Sequence, residues 1–202
     1  MELEFKELDK KDYKKIIEYA IKGMHFNMYF NNKTLVNLYG KYFWYSELLN
    51  ATDILAVYHK DALAGVLLID MNGRSKCYKS VSKSILVKCV DFLQEHFFKD
   101  SAGSYDEVND KMLTEYKKKY SPDGEINFLA ANTDLKIKGI GTALINELSK
   151  REKGKEIYLF TDDLCTYQFY EHRGFEKMGE EDITMDSKKK LTLKCFLYRK
   201  KL

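Results

Sequence analysis

The 202-residue chain has a single proline, and its eleven glycines are not gathered into a spacer, so two domains joined by a flexible linker are not expected. Its four cysteines, Cys77, Cys89, Cys165 and Cys195, are far apart, with no C-x-x-C pair and no histidine at ligand spacing. Neither a zinc site nor a disulfide framework is indicated, and no metal is expected. Charge of one sign is also scarce. A formal net charge of +3 is too small to imply nucleic acid as a partner, and the runs at 188–190 and 199–201 read as solvated turns. No stretch has the apolar length of a membrane span, so no membrane partner is expected. The opening Met1-Glu-Leu-Glu-Phe lacks the basic and apolar runs of a secretory leader, which makes a reduced cytoplasm the expected compartment. What remains is an ordinary globular composition, 45% hydrophobic and 32% charged, of a length that suits one core.

Periodicity divides the chain. Alternation over residues 3–8 predicts an opening strand. Asp9 or Asp12 then caps a helix whose apolar positions Tyr13, Ile16, Ile17, Ala20, Ile21 and Met24 recur at three- and four-residue steps. An aromatic connection, 25–30, precedes a second helix over Leu35–Leu49. Two apolar runs, 53–58 and 62–69, flank His59-Lys60-Asp61 and predict a hairpin. From about 75 to 121 the pattern is helical, which reads as an insertion within a single domain spanning 1–202. Pro122-Asp123-Gly124 is a turn, 125–131 a buried strand, and a helix follows from Gly139 to about Arg151. A strand at 156–161, a helix over Leu164–Arg173 stopped by Gly174, a strand from Phe175 and a last strand over 191–198 complete the reading.

The most informative stretch is Lys136-Ile137-Lys138-Gly139-Ile140-Gly141-Thr142, between a strand and a helix. A helix N-terminus carries backbone N–H groups without intrahelical partners and the positive end of the macrodipole. Glycines there let a phosphate approach those amides, and Lys136 and Lys138 add positive charge. A diphosphate-bearing ligand suits such a loop. It is not a P-loop, lacking G-K-[ST], nor a dinucleotide fingerprint, lacking the third glycine.

With the strand before it and the segment 161–175 after it, this loop resembles the signature of the GNAT superfamily of N-acetyltransferases. Lys136-x-x-Gly139-x-Gly141 is similar to that family's [Arg/Gln]-x-x-Gly-x-[Gly/Ala], with Lys in place of the planar fork. Asp163, Thr166, Phe169, Tyr170, Gly174 and Phe175 fall on its Asn-x-x-Ala-x-x-hydrophobic-Tyr-x-x-x-Gly-Phe motif, with Asp for Asn and Thr for Ala.

The resemblance implies an α/β (α+β) fold with a GNAT-like mixed, splayed central sheet flanked by helices, here with a helical insertion between the third and fourth strands. It implies acetyl-CoA as co-substrate and transfer of acetyl to a primary amine of a small molecule or a peptide or protein. The backbone of Leu129, Ala130 and Ala131 would pair with the pantetheine arm, and the amides of Ile137, Lys138, Gly139, Ile140, Gly141 and Thr142 would take the pyrophosphate, beside Lys136 and Asp163. Tyr170 stands where relatives keep a general acid, and a phenol holds its proton at neutral pH. Glu125, eleven residues before Lys136, stands where some relatives keep a base. Phe26, Tyr29 and Phe30 are expected to line the acceptor side, and His172 to lie on the surface. The insertion is expected as a lid or as the contact surface of a homodimer. The departures at Lys136, Asp163 and Thr166 leave a second reading open, a non-catalytic acyl-CoA-binding or regulatory module on the same scaffold. A nucleotide-phosphate binder unrelated to acyl transfer is a third.

Overall fold

The computed structural model describes residues 2–30, 32–97, 103–185 and 191–202. The lysine run 188–190, read above as a turn, lies outside them. Seven strands form one sheet: β1 (Glu4–Lys6), β2 (Asp53–His59), β3 (Ala62–Met71), β4 (Gly124–Ala131), β5 (Glu156–Asp162), β6 (Glu176–Met185) and β7 (Leu191–Lys201). Their order is β1-β2-β3-β4-β5-β7-β6. Every neighbouring pair is antiparallel except β4 and β5. Among the described residues there are six α-helices: α1 (Tyr13–Gly23), α2 (Lys33–Asn50), α3 (Val81–Phe97), α4 (Gly103–Lys117), α5 (Ile140–Arg151) and α6 (Gln168–Glu171). No helix among these residues is long and apolar enough to cross a membrane.

The elements follow from local chemistry. Asp9 accepts from the Lys11 amide at 2.9 Å and opens a short turn ahead of α1, whose Ile16, Tyr19 and Ala20 are buried. Asp12, itself buried, takes the Tyr58 hydroxyl at 3.0 Å and so ties α1 to β2. Asn32 accepts from the Thr34 amide at 2.8 Å, which starts α2 at Lys33, two residues before the apolar pattern begins. β2 and β3 are apolar on both sides because helices cover both faces of the sheet, and Lys60 in the left-handed region (φ 55°) closes their hairpin.

Three clusters make up the core. α5 packs with Leu55, Val57, Leu67, Ile69, Ile157 and Leu159 on one face. On the other, α1 and α2 cover β2–β4 around Trp44, Leu48 and Phe128, and α4 covers β5–β7 around Met112 and Tyr116. Trp44 is fully buried, and its replacement by Ala is expected to cost about 3–5 kcal/mol. The inserted helices thus have separate duties. α4 roofs the β5–β7 half, seated where Gly179 offers no side chain against Met112. α3 lies on α2, with the Tyr42 hydroxyl donating to Asp91 at 2.6 Å and Lys83 over the Tyr45 ring.

Two readings are corrected. The run 199–201 is not a turn but the end of β7, paired with β5 and with Arg199 bridged to Glu156 and Glu176. The helix expected over Leu164–Arg173 is confined to Gln168–Glu171. The Asp162 carboxylate captures the Leu164 and Cys165 amides at 3.0 and 3.1 Å, and the Tyr167 amide turns back on the Cys165 carbonyl, so the chain enters a tight turn before it turns helical.

Candidate functional site

β4 and β5 pair at only two positions, Gly124↔Ile157 and Glu125↔Tyr158, and then part. β4 continues with β3 as far as Ala131 while β5 continues with β7 as far as Asp162. A bulge in β4 starts the divergence: Ile126 faces Ile69 and Phe128 faces Leu68, which leaves Asn127 as the extra residue. Bulges bend a strand and increase its local twist. Beyond the bulge, the β4 edge that faces the gap is free of β5, and the half-buried Leu129, Ala130 and Ala131 lie along it.

The chain then turns into α5. Asn132 donates its side-chain amide to the Leu63 carbonyl at 3.2 Å and accepts from the Asp134 amide at 3.0 Å, fixing the end of β4. Leu135 and Ile137 pack inward, while Lys136 and Lys138 are exposed. Lys136 (φ 48°) and Gly139 (φ 86°) both adopt the left-handed region. The first amide bonded within this turn is that of Ala143, which donates to the Gly139 carbonyl at 2.9 Å; those of Ile140, Gly141 and Thr142 have no carbonyl a turn earlier to meet. The two glycines have different reasons. Gly139 is set by its backbone angle, and Gly141 by contact, since a Cβ there would stand 3.0 Å from Phe169. Open amides, flanking lysines and a free strand edge fit an anionic ligand with an amide-bearing arm.

Tyr170 projects from α6 into the α5-side cluster that also holds Leu129 and Ala131, its ring set against Phe169, Phe175 and Tyr198. Burial raises its pKa, with the Cys165 thiol adding to the shift, so the phenol is protonated throughout the neutral range. Asp163 is exposed and accepts from the Lys194 amide of β7 at 3.1 Å. Asp162 holds the turn ahead of α6 through the Leu164 and Cys165 amides, and α6 itself has no side-chain cap. His172 is exposed, as expected.

The opposite face carries carboxylates. Glu125 is half-buried and accepts from the Tyr158 hydroxyl at 2.8 Å. Burial pushes its pKa up, the Tyr158 bond works against that, and nearby Asp70 adds to it. Beside it, from α2, stands Glu47, which the sequence reading missed. Burial, followed by the charge of Glu125, pushes Glu47 up to about 8, against the opposing influence of the Asn127 side chain. The Asn127 Oδ1 atom is buried and has no hydrogen-bond partner. One signal was available in the sequence: Glu47 is the only acidic residue in α2, within a strongly aromatic and apolar helix.

Around these groups the walls are aromatic. Tyr29 belongs to both the α1–α2 cluster and the α4 cluster, so the turn Phe26–Met28 and its successor span the two halves of the sheet. From α4, the Tyr105 hydroxyl approaches Asp162 at 3.4 Å. Phe26 departs from expectation. It is 5% exposed, with Tyr39 and Phe43 set edge-on at 4.8 and 5.3 Å, and it belongs to the core behind the wall. Tyr29 and Phe30 remain half-buried at the surface of that wall. Among the described residues no group of His, Cys, Asp or Glu is arranged to hold a metal.

No protein-family profile and no curated protein matches the chain. Solved structures do. Arylalkylamine N-acetyltransferase 2 from Aedes aegypti is similar over 100% of this chain and 99% of its own, at 15% identity and a TM-score of 0.60. A histone acetyltransferase HPA2 and related acetyltransferase from Corynebacterium glutamicum gives 0.58 at 15% identity, over 98% and 96%. PaiA N-acetyltransferase from Thermoplasma acidophilum, solved in complex with coenzyme A, gives 0.52 at 16% identity over all of both chains. At such identities the likeness establishes the fold. The splayed mixed sheet anticipated from the two motifs is the observed one.

Proposed function

We propose that the chain is an acetyl-CoA-dependent N-acetyltransferase acting on a primary amine of a small molecule or peptide. The observation that carries this reading is the parting of β4 from β5 one residue past the Glu125–Tyr158 pair, with donor-binding backbone on one face and a carboxylate pair on the other. A shared fold with acetyltransferases, one of them solved with coenzyme A, supports the choice of donor.

On this reading the amides of Ile140, Gly141 and Thr142, with Lys136 and Lys138, hold the pyrophosphate, and the free edge of β4 at Leu129–Ala131 holds the pantetheine arm. Bound acetyl-CoA supplies a thioester, whose acyl carbon is open to attack by a neutral amine. An amine arrives as its ammonium form. Glu47, at about pH 8, is matched to take that proton near neutrality, which a carboxylate of ordinary pKa does poorly. Glu125, the base expected from the sequence, has an oxygen engaged by Tyr158 and acts as the second charge, holding Glu47 up and attracting the ammonium. The unpartnered Asn127 Oδ1 accepts an N–H of the amine. As the new C–N bond forms and the C–S bond breaks, Tyr170 gives its proton to the leaving thiolate. The proton lost by the acylated nitrogen restores the phenol, while Glu47 returns its proton to solvent.

Thiol release from acetyl-CoA, followed across aryl-alkylamines, polyamines and lysine-bearing peptides, tests the proposal. Turnover with at least one amine is expected. Tight acetyl-CoA binding by calorimetry without turnover on any acceptor would instead establish the non-catalytic module.

A further inference from the structure

α2 and α4 cover different halves of the sheet, and the seam between them lies over the parting of β4 from β5. A row of carboxylates crosses that seam. Glu125 of β4 and Glu47 of α2 form its inner end, and the charge of Asp106, in the first turn of α4, bears on Glu47. Asp110 of α4 and Asp91 of α3 bear on Asp106 in turn. The Tyr42 hydroxyl holds Asp91 in place with a bond of 2.6 Å.

Such a row is costly as it stands. Asp106 and Asp110 are one turn apart on α4, where like charges work against the helix. Neither enters an ion pair among the described residues, while Lys111 of the same helix is engaged by Glu181 at 2.7 Å and Lys117 bears on Glu125. Loss of surrounding water, followed by the charges of Asp110 and Asp91, raises the Asp106 pKa. A cation in the seam relieves that crowding. Two buried acceptors point the same way. The Oδ1 atoms of Asn127, whose side chain meets Glu47, and of Asn109, between Asp106 and Asp110 in the chain, have no hydrogen-bond partner. Buried acceptors without partners call for donors, and an ammonium is a donor only.

The two ends of the row differ in what they can do with such a cation. Glu47 is half-buried and, as proposed above, takes a proton, whereas Asp106 and Asp110 are exposed at the rim. An ammonium at the inner end gives up its proton and reacts. One at the rim keeps its charge and is held. The carboxylates come from four elements, and among the described residues no group of them is arranged to hold a metal ion, so the row suits charges spread along a chain. Building on the acetyltransferase reading, we infer that the acceptor is a diamine or longer polyamine, with its reacting amine at Glu47 and a second ammonium on Asp106. Asp106 is then the residue that selects for the second charge.

Thiol release from acetyl-CoA by the full chain tests this, with diaminobutane set against butylamine and diaminopentane against pentylamine. In each pair kcat/KM is expected to be about tenfold to a hundredfold higher for the diamine. Asp106→Asn should raise KM for the diamine about tenfold with kcat little changed. Glu107→Gln removes the same charge from an exposed neighbour that is not among the groups acting on Glu47, and should leave that KM within about twofold. Circular dichroism confirms that both variants are folded. Equal turnover of diamines and monoamines, or equal effects of the two variants, would overturn the dicationic acceptor and leave the acetyltransferase reading standing. Where no amine is turned over, that reading falls, and calorimetry of diaminobutane binding decides the rest. Binding weakened about tenfold by Asp106→Asn upholds the second-ammonium site, and binding indifferent to that variant overturns it as well.

Discussion

The two faces of the splay offer different contacts. On the α5 face they are backbone groups: the open amides of Ile140–Thr142 and the free edge of β4. On the α2 face they are side chains, Glu47, Glu125, Asn127 and Tyr29, delivered by three separate segments. A backbone cradle is indifferent to the side chains around it provided two glycines keep their conformation and clearance. A side-chain pocket changes with any of its contributors. On the proposed function, one face would hold a constant donor and the other would choose among variable acceptors.

The contrast can be broken most severely at Glu47. Glu47→Gln is expected to lower kcat/KM by about 10²–10³ at pH 7.5 while leaving acetyl-CoA affinity unchanged by calorimetry, since only the acceptor face loses its base. In the unaltered enzyme kcat/KM should rise with pH through about 8, and in this variant that limb should vanish. Tyr170→Phe removes the proton donor without emptying its packing place and should lower kcat roughly tenfold to a hundredfold, with KM for the amine little changed. Gly139→Ala tests the other face. A Cβ at φ 86° is strained by about 1 kcal/mol, so KM for acetyl-CoA should rise roughly fivefold while kcat holds.

Stability sharpens the same comparison. Glu47 has a folded pKa raised above its unfolded value, so the folded state holds the extra proton and loses stability as pH climbs from about 4.5 to about 8. Glu47→Gln carries no such penalty. Its melting temperature should match that of the unaltered chain near pH 4 and exceed it by roughly 5 °C at pH 9, measured by calorimetric scans. The smallest effect is expected from Tyr158→Phe. Losing that hydroxyl lets the Glu125 pKa rise further, so less of its charge bears on Glu47. The rising limb of the pH–rate profile should move toward acid by roughly half a unit.

The α5 face, proposed above as the donor face, could be read from the sequence because its parts are contiguous. Strand 125–131, the loop from Lys136 and the turn of α5 occupy one stretch, and the chemistry of a helix N-terminus needs no distant partner. The Tyr170-x-x-x-Gly174-Phe175 segment was readable for the same reason, and it places Tyr170 in the α5-side cluster, against the Phe175 ring. The α2 face was not readable in this way. Glu47 acquires its chemistry only when α2 is laid beside Glu125 and Asn127, some eighty residues on, and nothing local announces that approach. Phe26 failed in the opposite direction, since an aromatic cluster reads alike whether it lines a pocket or backs one. The shortened α6 failed because a carboxylate, Asp162, competed for amides that periodicity had assigned to a helix.

The extra residue in β4 also acts as a change of phase. Ile126 belongs to the α5-side cluster and Phe128 to the α2-side cluster, although strict alternation would put both on one side. Ahead of Asn127 the even positions look toward α5; after it the odd ones do, so Leu129 and Ala131 reach the α5 face while Glu125 keeps to the α2 face. Deleting that single residue would leave Ile126 and Phe128 on the faces they already occupy, opposite Ile69 and Leu68, and would take away only the bend at which β4 leaves β5. No substitution elsewhere in β4 could restore that bend, because a substitution changes what a position carries and never how many residues oppose the partner strand.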